Sequence, residues 1–155
     1  MGRLSHESPL IYTRKSSLGG SDGTLYLDAN VFVYAALNLE AVGNRARSLL
    51  REVQEGKMRA VSSALTFDEL VWAVKRYRSL EDAATAGEAF LNMPGLKLVD
   101  VNGDLLSLAL ELMRGYQLDP RDSIHAASAL SEKAETIVST DEHFDKIKGI
   151  QRRTI

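Results

Sequence analysis

Asp28, Glu69, Asp122 and Asp141 are the residues of this sequence best placed to do chemistry. Asp28 follows the short β-prone run Thr24–Leu27 in LYLDANV, and Asp141 follows Thr136–Ser139 in IVSTDEHF. Glu69, in LTFDEL, and Asp122, in LDPRDSIHAA, stand near the starts of helical segments. In open α/β sheets ligands bind beyond the carboxyl ends of the strands. Two carboxylates at strand ends and two leaning in from helix N-termini would share that edge. Two unit charges about 4 Å apart repel by roughly 4 kcal/mol at an effective dielectric near 20. That is a large part of the roughly 5–15 kcal/mol that keeps a domain folded. Converging acids therefore call for a neutralising cation, or for some of them to stay protonated. All-oxygen ligation selects a hard cation, Mg²⁺ or Mn²⁺. Such a cation, held by a few carboxylates and the phosphates of a substrate, suits phosphodiester hydrolysis.

Helix capping explains any one of these acids alone. Thr66 and Glu69 spell T-x-x-E, a capping box. Asp119 before Pro120 reads as an N-cap with proline at the first helical position, which makes Asp122 the third helical residue, where an acid favours the dipole. Asp28 and Asp141 can cap whatever follows their strands. Capping gives no reason for all four to fall on one edge.

The elements that would position them are legible from periodicity. Strands are expected at Thr24–Leu27, Arg59–Ser62, Leu96–Val101, Thr136–Ser139 and Ile150–Thr154. Helices are expected at Val31–Leu37, Ala46–Gln54, Thr66–Tyr77, Leu80–Asn92, Asp104–Tyr116 and Pro120–Lys133, with a helical turn at Asp141–Ile147. Apolar residues recur at helical spacing in these segments, for example Phe67, Leu70, Val71 and Val74. Short apolar strands separated by helices predict an α/β domain with a mostly parallel sheet. Residues 1–23 differ in texture, being rich in serine and glycine, and read as a flexible extension ahead of one globular domain at 24–155.

Composition narrows the chemistry. The 155 residues suit one domain with a real core. No cysteine is present, which excludes disulfides, zinc–thiolate sites, iron–sulfur clusters and a cysteine nucleophile. The histidines, His6, His125 and His143, look too few and too scattered for a histidine metal site. Net charge is −2, from 21 acids and 19 bases, which neither advertises nucleic-acid binding nor forbids a local basic face. No apolar run approaches the roughly 20 residues of a membrane span. The opening residues lack the apolar centre of a signal peptide, so no membrane association and a reducing cytoplasm are expected.

Taken in order, LYLDANVFVYA, the glutamate of TFDEL, LDPRDSIHAASAL and IVSTDEHFDKIKGI make residues 24–155 resemble a PIN-domain ribonuclease, in particular a VapC-type toxin of a toxin–antitoxin pair. The resemblance implies a three-layer α/β/α sandwich with a mostly parallel sheet of four or five strands. It implies metal-dependent endonucleolytic hydrolysis of RNA, leaving 5′-phosphate and 3′-hydroxyl ends. It implies that Asp28, Glu69, Asp122 and Asp141 hold Mg²⁺ or Mn²⁺, that Ser139 hydrogen-bonds within the site and that Asn30 fills a supporting polar position. Asp119 is a neighbour able to assist Asp122. Ala29 departs from the threonine often found there. Implied partners are RNA, often tRNA or rRNA, a cognate antitoxin protein and a second copy of the chain. Alternatives are a PIN-type nuclease of RNA maturation or decay without an antitoxin, and a catalytically weak PIN-like binding module. A haloacid-dehalogenase-type phosphotransferase also begins with an aspartate after a strand, but it wants a second acid two residues on, where Asn30 stands.

Among the cations, Arg121 adjoins Asp122 and is the expected RNA-phosphate contact. His125, one helical turn after Asp122, reads either as orienting that carboxylate or as packing in the alanine-rich helix. Trp72 and Tyr77 read as core, or as lining an antitoxin groove or dimer face.

Overall fold

The structure is a computed structural model and describes residues 23–155. The extension expected over residues 1–23 lies, but for its last residue, outside the described residues. In chain order the elements are β1 (Leu25–Leu27), α1 (Ala29–Leu37), α2 (Ala41–Gln54), β2 (Ala60–Ser63), α3 (Ala64–Tyr77) and α4 (Leu80–Leu91). They continue with β3 (Leu96–Val99), α5 (Gly103–Tyr116), α6 (Pro120–Ser131), β4 (Thr136–Val138), a 3₁₀ turn (Glu142–Lys146) and β5 (Gln151–Arg153).

The strands form one sheet in the order β3-β2-β1-β4-β5, with every pair parallel. A parallel pair cannot be joined by a tight turn, so the helices cross over and cover both faces. Side chains alternate along each strand. Tyr26, Val61 and Ile137 pack with Leu112, Ala126 and Phe144 on one face, while Leu25, Leu27 and Val138 pack with Val31, Leu50, Leu70 and Phe90 on the other. The result is the expected α/β/α sandwich.

The main departures from the sequence reading are at helix starts. Helix α3 begins at Ala64 with Ser63 at its N-cap, so Thr66 lies inside the first turn. The capping-box reading of Thr66 and Glu69 is thus incorrect. Strand β2 runs into α3 without a loop, and Thr66 is buried, its hydroxyl 2.8 Å from that of Ser62. Ser62 in turn donates to the Leu27 carbonyl at 2.7 Å, tying β2 to β1. Helix α2 begins at Ala41, ahead of the expected Ala46, because Asn38 Oδ1 accepts from the N–H groups of Glu40 and Gly43 and organises the turn.

Because the sheet is parallel, the carboxyl ends of its strands lie on one edge. The chain builds outward from β1 through β2 to β3, then returns to the other side of β1 to add β4 and β5. The reversal falls between β1 and β4, the position where open α/β sheets leave a crevice.

Gly95, in the turn before β3, has φ +78°, and a Cβ there would stand 2.4 Å from the Val53 carbonyl oxygen. Gly95→Ala is expected to lower the unfolding free energy by about 1–3 kcal/mol, read by urea denaturation.

Candidate active site

The register of β1 and β4 pairs Leu27 with Val138, which sets Asp28 beside Ser139 just beyond the strands. The Asp28 N–H extends the ladder to the Val138 carbonyl at 3.1 Å. Asp28 is buried and caps α1, with Oδ1 accepting from the Ala29 N–H at 2.8 Å. Its Oδ2 accepts from the Ser139 hydroxyl at 2.6 Å. Ser139 Oγ also accepts from the Asp141 N–H at 3.0 Å and lies 3.4 Å from Asn30 Nδ2, which donates to Thr140 Oγ1 at 2.9 Å. One hydroxyl therefore links the loops after β1 and β4. Asp141 caps the 3₁₀ turn through the His143 N–H at 2.9 Å.

Glu69 reaches in from the second turn of α3 and Asp122 from the first turn of α6. Asp28, Glu69, Asp122 and Asp141 all line one open cleft of about 470 Å³, together with Asn30, Asp119, Arg121, His125 and His143. The capping readings of Asp28 and Asp141 hold, and both residues face the cleft as well. Asp119 is the N-cap residue ahead of Pro120 as read, with its carbonyl accepting from the Ser123 N–H at 2.9 Å, but its carboxylate makes no cap hydrogen bond and lies on the cleft wall. Asp68, one position before Glu69, is exposed and does not line the cleft.

Two histidines line the cleft: His125, read from the sequence either as orienting Asp122 or as packing, and His143, for which no site role was expected. His125 is fully buried, with Nδ1 2.7 Å from the Tyr26 hydroxyl and Nε2 3.1 Å from Glu69 Oε2 and 3.4 Å from Asp28 Oδ1. It orients Glu69 and Asp28, not Asp122. His143 is exposed, with Nδ1 2.9 Å from Asp141 Oδ1 and 3.5 Å from Asp122 Oδ2. The only signal for His125 was its place as the one large polar side chain within HAASA; nothing near it in sequence points to Tyr26.

The electrostatics follow from crowding. Burial raises the Asp28 carboxyl above its ordinary range, and Glu69 adds to this, against His125, Ser139 and the Ala29 N–H. Burial, then Asp141 and Asp28, push Asp122 up to about 6, with the two histidines opposing. Burial disfavours the cationic form of His125, yet the Tyr26 oxygen and the Glu69 and Asp28 carboxylates outweigh it and raise the imidazole well above 6.5. Arg121 offers only a loose contact, with Nε 3.9 Å from Glu69 Oε1.

The donor set fits a hard divalent cation. Carboxylate oxygens predominate, burial and then the neighbouring acids push Asp122 up to about 6, and the cleft is open to solvent. One ligand atom each from Asp28, Glu69 and His125 lie within 4.8 Å of one another, as do those of Asp122, Asp141 and His143.

Residues 25–150 match the family model of the PIN domain. Among solved structures, the chain is similar to VapBC2 from Rickettsia felis bound to a promoter DNA fragment, with a TM-score of 0.67, 19% identity and coverage of 84% of this chain and 98% of that one. It is similar to Mycobacterium tuberculosis VapC20, a sarcin–ricin loop cleaving toxin, with a TM-score of 0.66, 15% identity and coverage of 78% and 92%. A DNA-bound VapBC from Salmonella typhimurium gives 0.63, 23% identity and coverage of 84% and 97%. At these identities the likeness is one of fold. No curated protein matches the chain.

A pH dependence follows from the crowding. Asp28 and Asp122 hold protons in the folded state that the unfolded chain releases near 3.8, so stability falls as pH rises from there towards about 6. The raised pKa of His125 acts in the same direction at higher pH, its contribution being full below 6.5 and lost as pH climbs through the folded value. The metal-free protein is expected to melt higher at about pH 5 than at about pH 7.5. Asp122→Asn should flatten the lower part of that slope and add about 1 kcal/mol at neutral pH, allowing for solvent screening. Thermal melts in chelator at both pH values check this.

Proposed function

The chain belongs to the PIN-domain family, and on that premise we propose that it is a Mg²⁺- or Mn²⁺-dependent endoribonuclease, the toxin half of a toxin–antitoxin module. The observation that carries the reading is the meeting of Asp28, Glu69, Asp122 and Asp141, from four separate segments, in one cleft at the crevice of the sheet. When bound, a divalent cation supplies Lewis-acid polarisation of the scissile phosphate and activation of a water.

The chain's own residues prepare the site. Asp28 is held rigid by the Ala29 N–H and the Ser139 hydroxyl. Ser139 spends its proton on Asp28, so it is a support and not a nucleophile. Asn30 and the Ser139 hydroxyl keep the loop that bears Asp141 beside Asp28. Asp122 sheds its retained proton to serve as a ligand, which makes cation binding stronger as pH rises through about 6. Arg121 stands exposed at the rim, where an RNA phosphate can meet it.

The partners in this reading are RNA, an antitoxin and a second copy of the chain. RNA as substrate is supported by the sarcin–ricin loop cleavage of VapC20, and an antitoxin by the VapBC complexes of like fold. The surface gives a further reason. Trp72 and Tyr77 do not join the core; they are 59% and 69% exposed. Tyr77 lines an apolar hollow with Val33, Tyr34 and Leu37. Exposed aromatics beside such a hollow suit a protein partner. Among the described residues no helix is long and apolar enough to cross a membrane, and a cytoplasmic location accompanies this function.

Incubation of total RNA with the purified protein tests the reading. Cleavage is expected with Mn²⁺ or Mg²⁺ and not with chelator, leaving 5′-phosphates at the mapped cuts. Asp28→Asn and Asp122→Asn should each lower the rate by more than about 100-fold with the fold intact by circular dichroism. Undiminished cleavage by both would refute the site. Arg121→Ala is expected to weaken RNA binding and to lower the slope of log K against log salt by about 1.

A further inference from the structure

Tyr26 lies in the central strand among Val61, Ile137 and the alanines of α6, with no exposed surface. A phenylalanine would fill that space. A buried hydroxyl is costly unless it is bonded, and the bond made by Tyr26 goes to one atom, His125 Nδ1, 99 residues away. His125 is the one large polar group on the buried side of α6, whose other buried residues are Ser123, Ala126, Ala127, Ser128 and Ala129. Its far nitrogen points at two of the acids. With a hydrogen on that nitrogen the ring donates to the Glu69 carboxylate, and the Tyr26 hydroxyl donates to Nδ1 of the neutral ring or accepts from the cation. The alternation of β1 makes the arrangement possible, since Tyr26 and Asp28 are two apart and project from the same face.

We propose that Tyr26 and His125 form a buried positioning pair that orients Glu69 and Asp28 and so sets the affinity of the cleft for a divalent cation. The inference rests on the reading of the cleft as a cation site and adds two residues to it. Glu69 projects on a long side chain that would lose rotamer freedom each time it bound a cation. His125 removes that freedom in advance by holding Oε2, and leaves Oε1 on the side of Arg121. Tyr26 fixes the ring that does the holding. Partners of this kind behind carboxylate ligands typically contribute about 10–100-fold in metal affinity.

The test is Mn²⁺ binding to the metal-free full chain, read by the electron paramagnetic resonance of free Mn²⁺, beside thermal melts in chelator. Tyr26→Phe, which keeps the packing, is expected to weaken Mn²⁺ about 10-fold, and His125→Ala about 10- to 100-fold. His125→Gln, with an N–H at similar reach, should recover part of the loss. The echo modulation of bound Mn²⁺ should show no coordinated imidazole nitrogen. Wild-type Mn²⁺ affinity in both Tyr26→Phe and His125→Gln, with lowered melting temperatures, would make the pair merely structural and overturn the proposal. Loss confined to the His125 variants, or a nitrogen coupled directly to Mn²⁺, would overturn it in favour of His125 as a ligand. Absence of Mn²⁺ binding to the wild-type chain would instead refute the cation site itself.

Discussion

The burial of several carboxylates side by side in one cleft is the demand that the rest of this domain must meet. Asp28, Glu69, Asp122 and Asp141 share a cleft with Arg121 at the rim and the side chains of His125 and His143. Burial foremost, and then the neighbouring carboxylates, makes Asp28 and Asp122 keep their protons to higher pH than ordinary carboxyls. The surrounding structure can be understood as the means of enforcing this unfavourable arrangement. The β1–β4 register, the Ser139 hydroxyl, the Ala29 N–H and the buried His125 each hold an anion where electrostatics alone would not leave it. Any ligand that binds the folded cleft and not the unfolded chain would return part of the stability given up here.

Most of the elements were legible in the sequence because their signals are local. Short apolar strands alternate with helices of clear 3.6-residue period, and breaks such as Gly56 and Pro94-Gly95 mark their ends. The parallel order follows from the helical crossovers. The acids of β1 and β4 were legible for the same reason, since each follows a strand directly. Helix starts were less so. Where Ser63 passes straight into Ala64 there is no loop to announce the change, and a threonine three residues before a glutamate imitates a cap that the chain does not make. Tyr77 shares the helical period of Leu70 and Val74, so only packing reveals that it faces outward, whereas the position of Trp72, two residues from both, already sets it on the opposite side.

The long-range contacts were not legible at all. His125 meets Tyr26 across 99 positions and Glu69 across 56. Its neighbours in sequence are small and buried, so packing was a sufficient account of it until the third dimension supplied the acids. Asp28 and Asp141 teach the complementary lesson. Each accepts a backbone N–H as a cap and also faces the cleft. Capping and ligation are compatible uses of one carboxylate, since each oxygen has two lone pairs.

The placing of β4 against β1 bears on when the cleft can form during synthesis. Leu25–Leu27 are made well before Thr136–Val138, the strand that completes their pairing, and Ser139 and Asp141 follow that strand. Until then the chain carries Asp28, Glu69 and Asp122 without the Ser139 hydroxyl that fixes the first of them. The cleft can close around all four acids only once that later segment has been added and paired, so its assembly is tied to completion of the sheet.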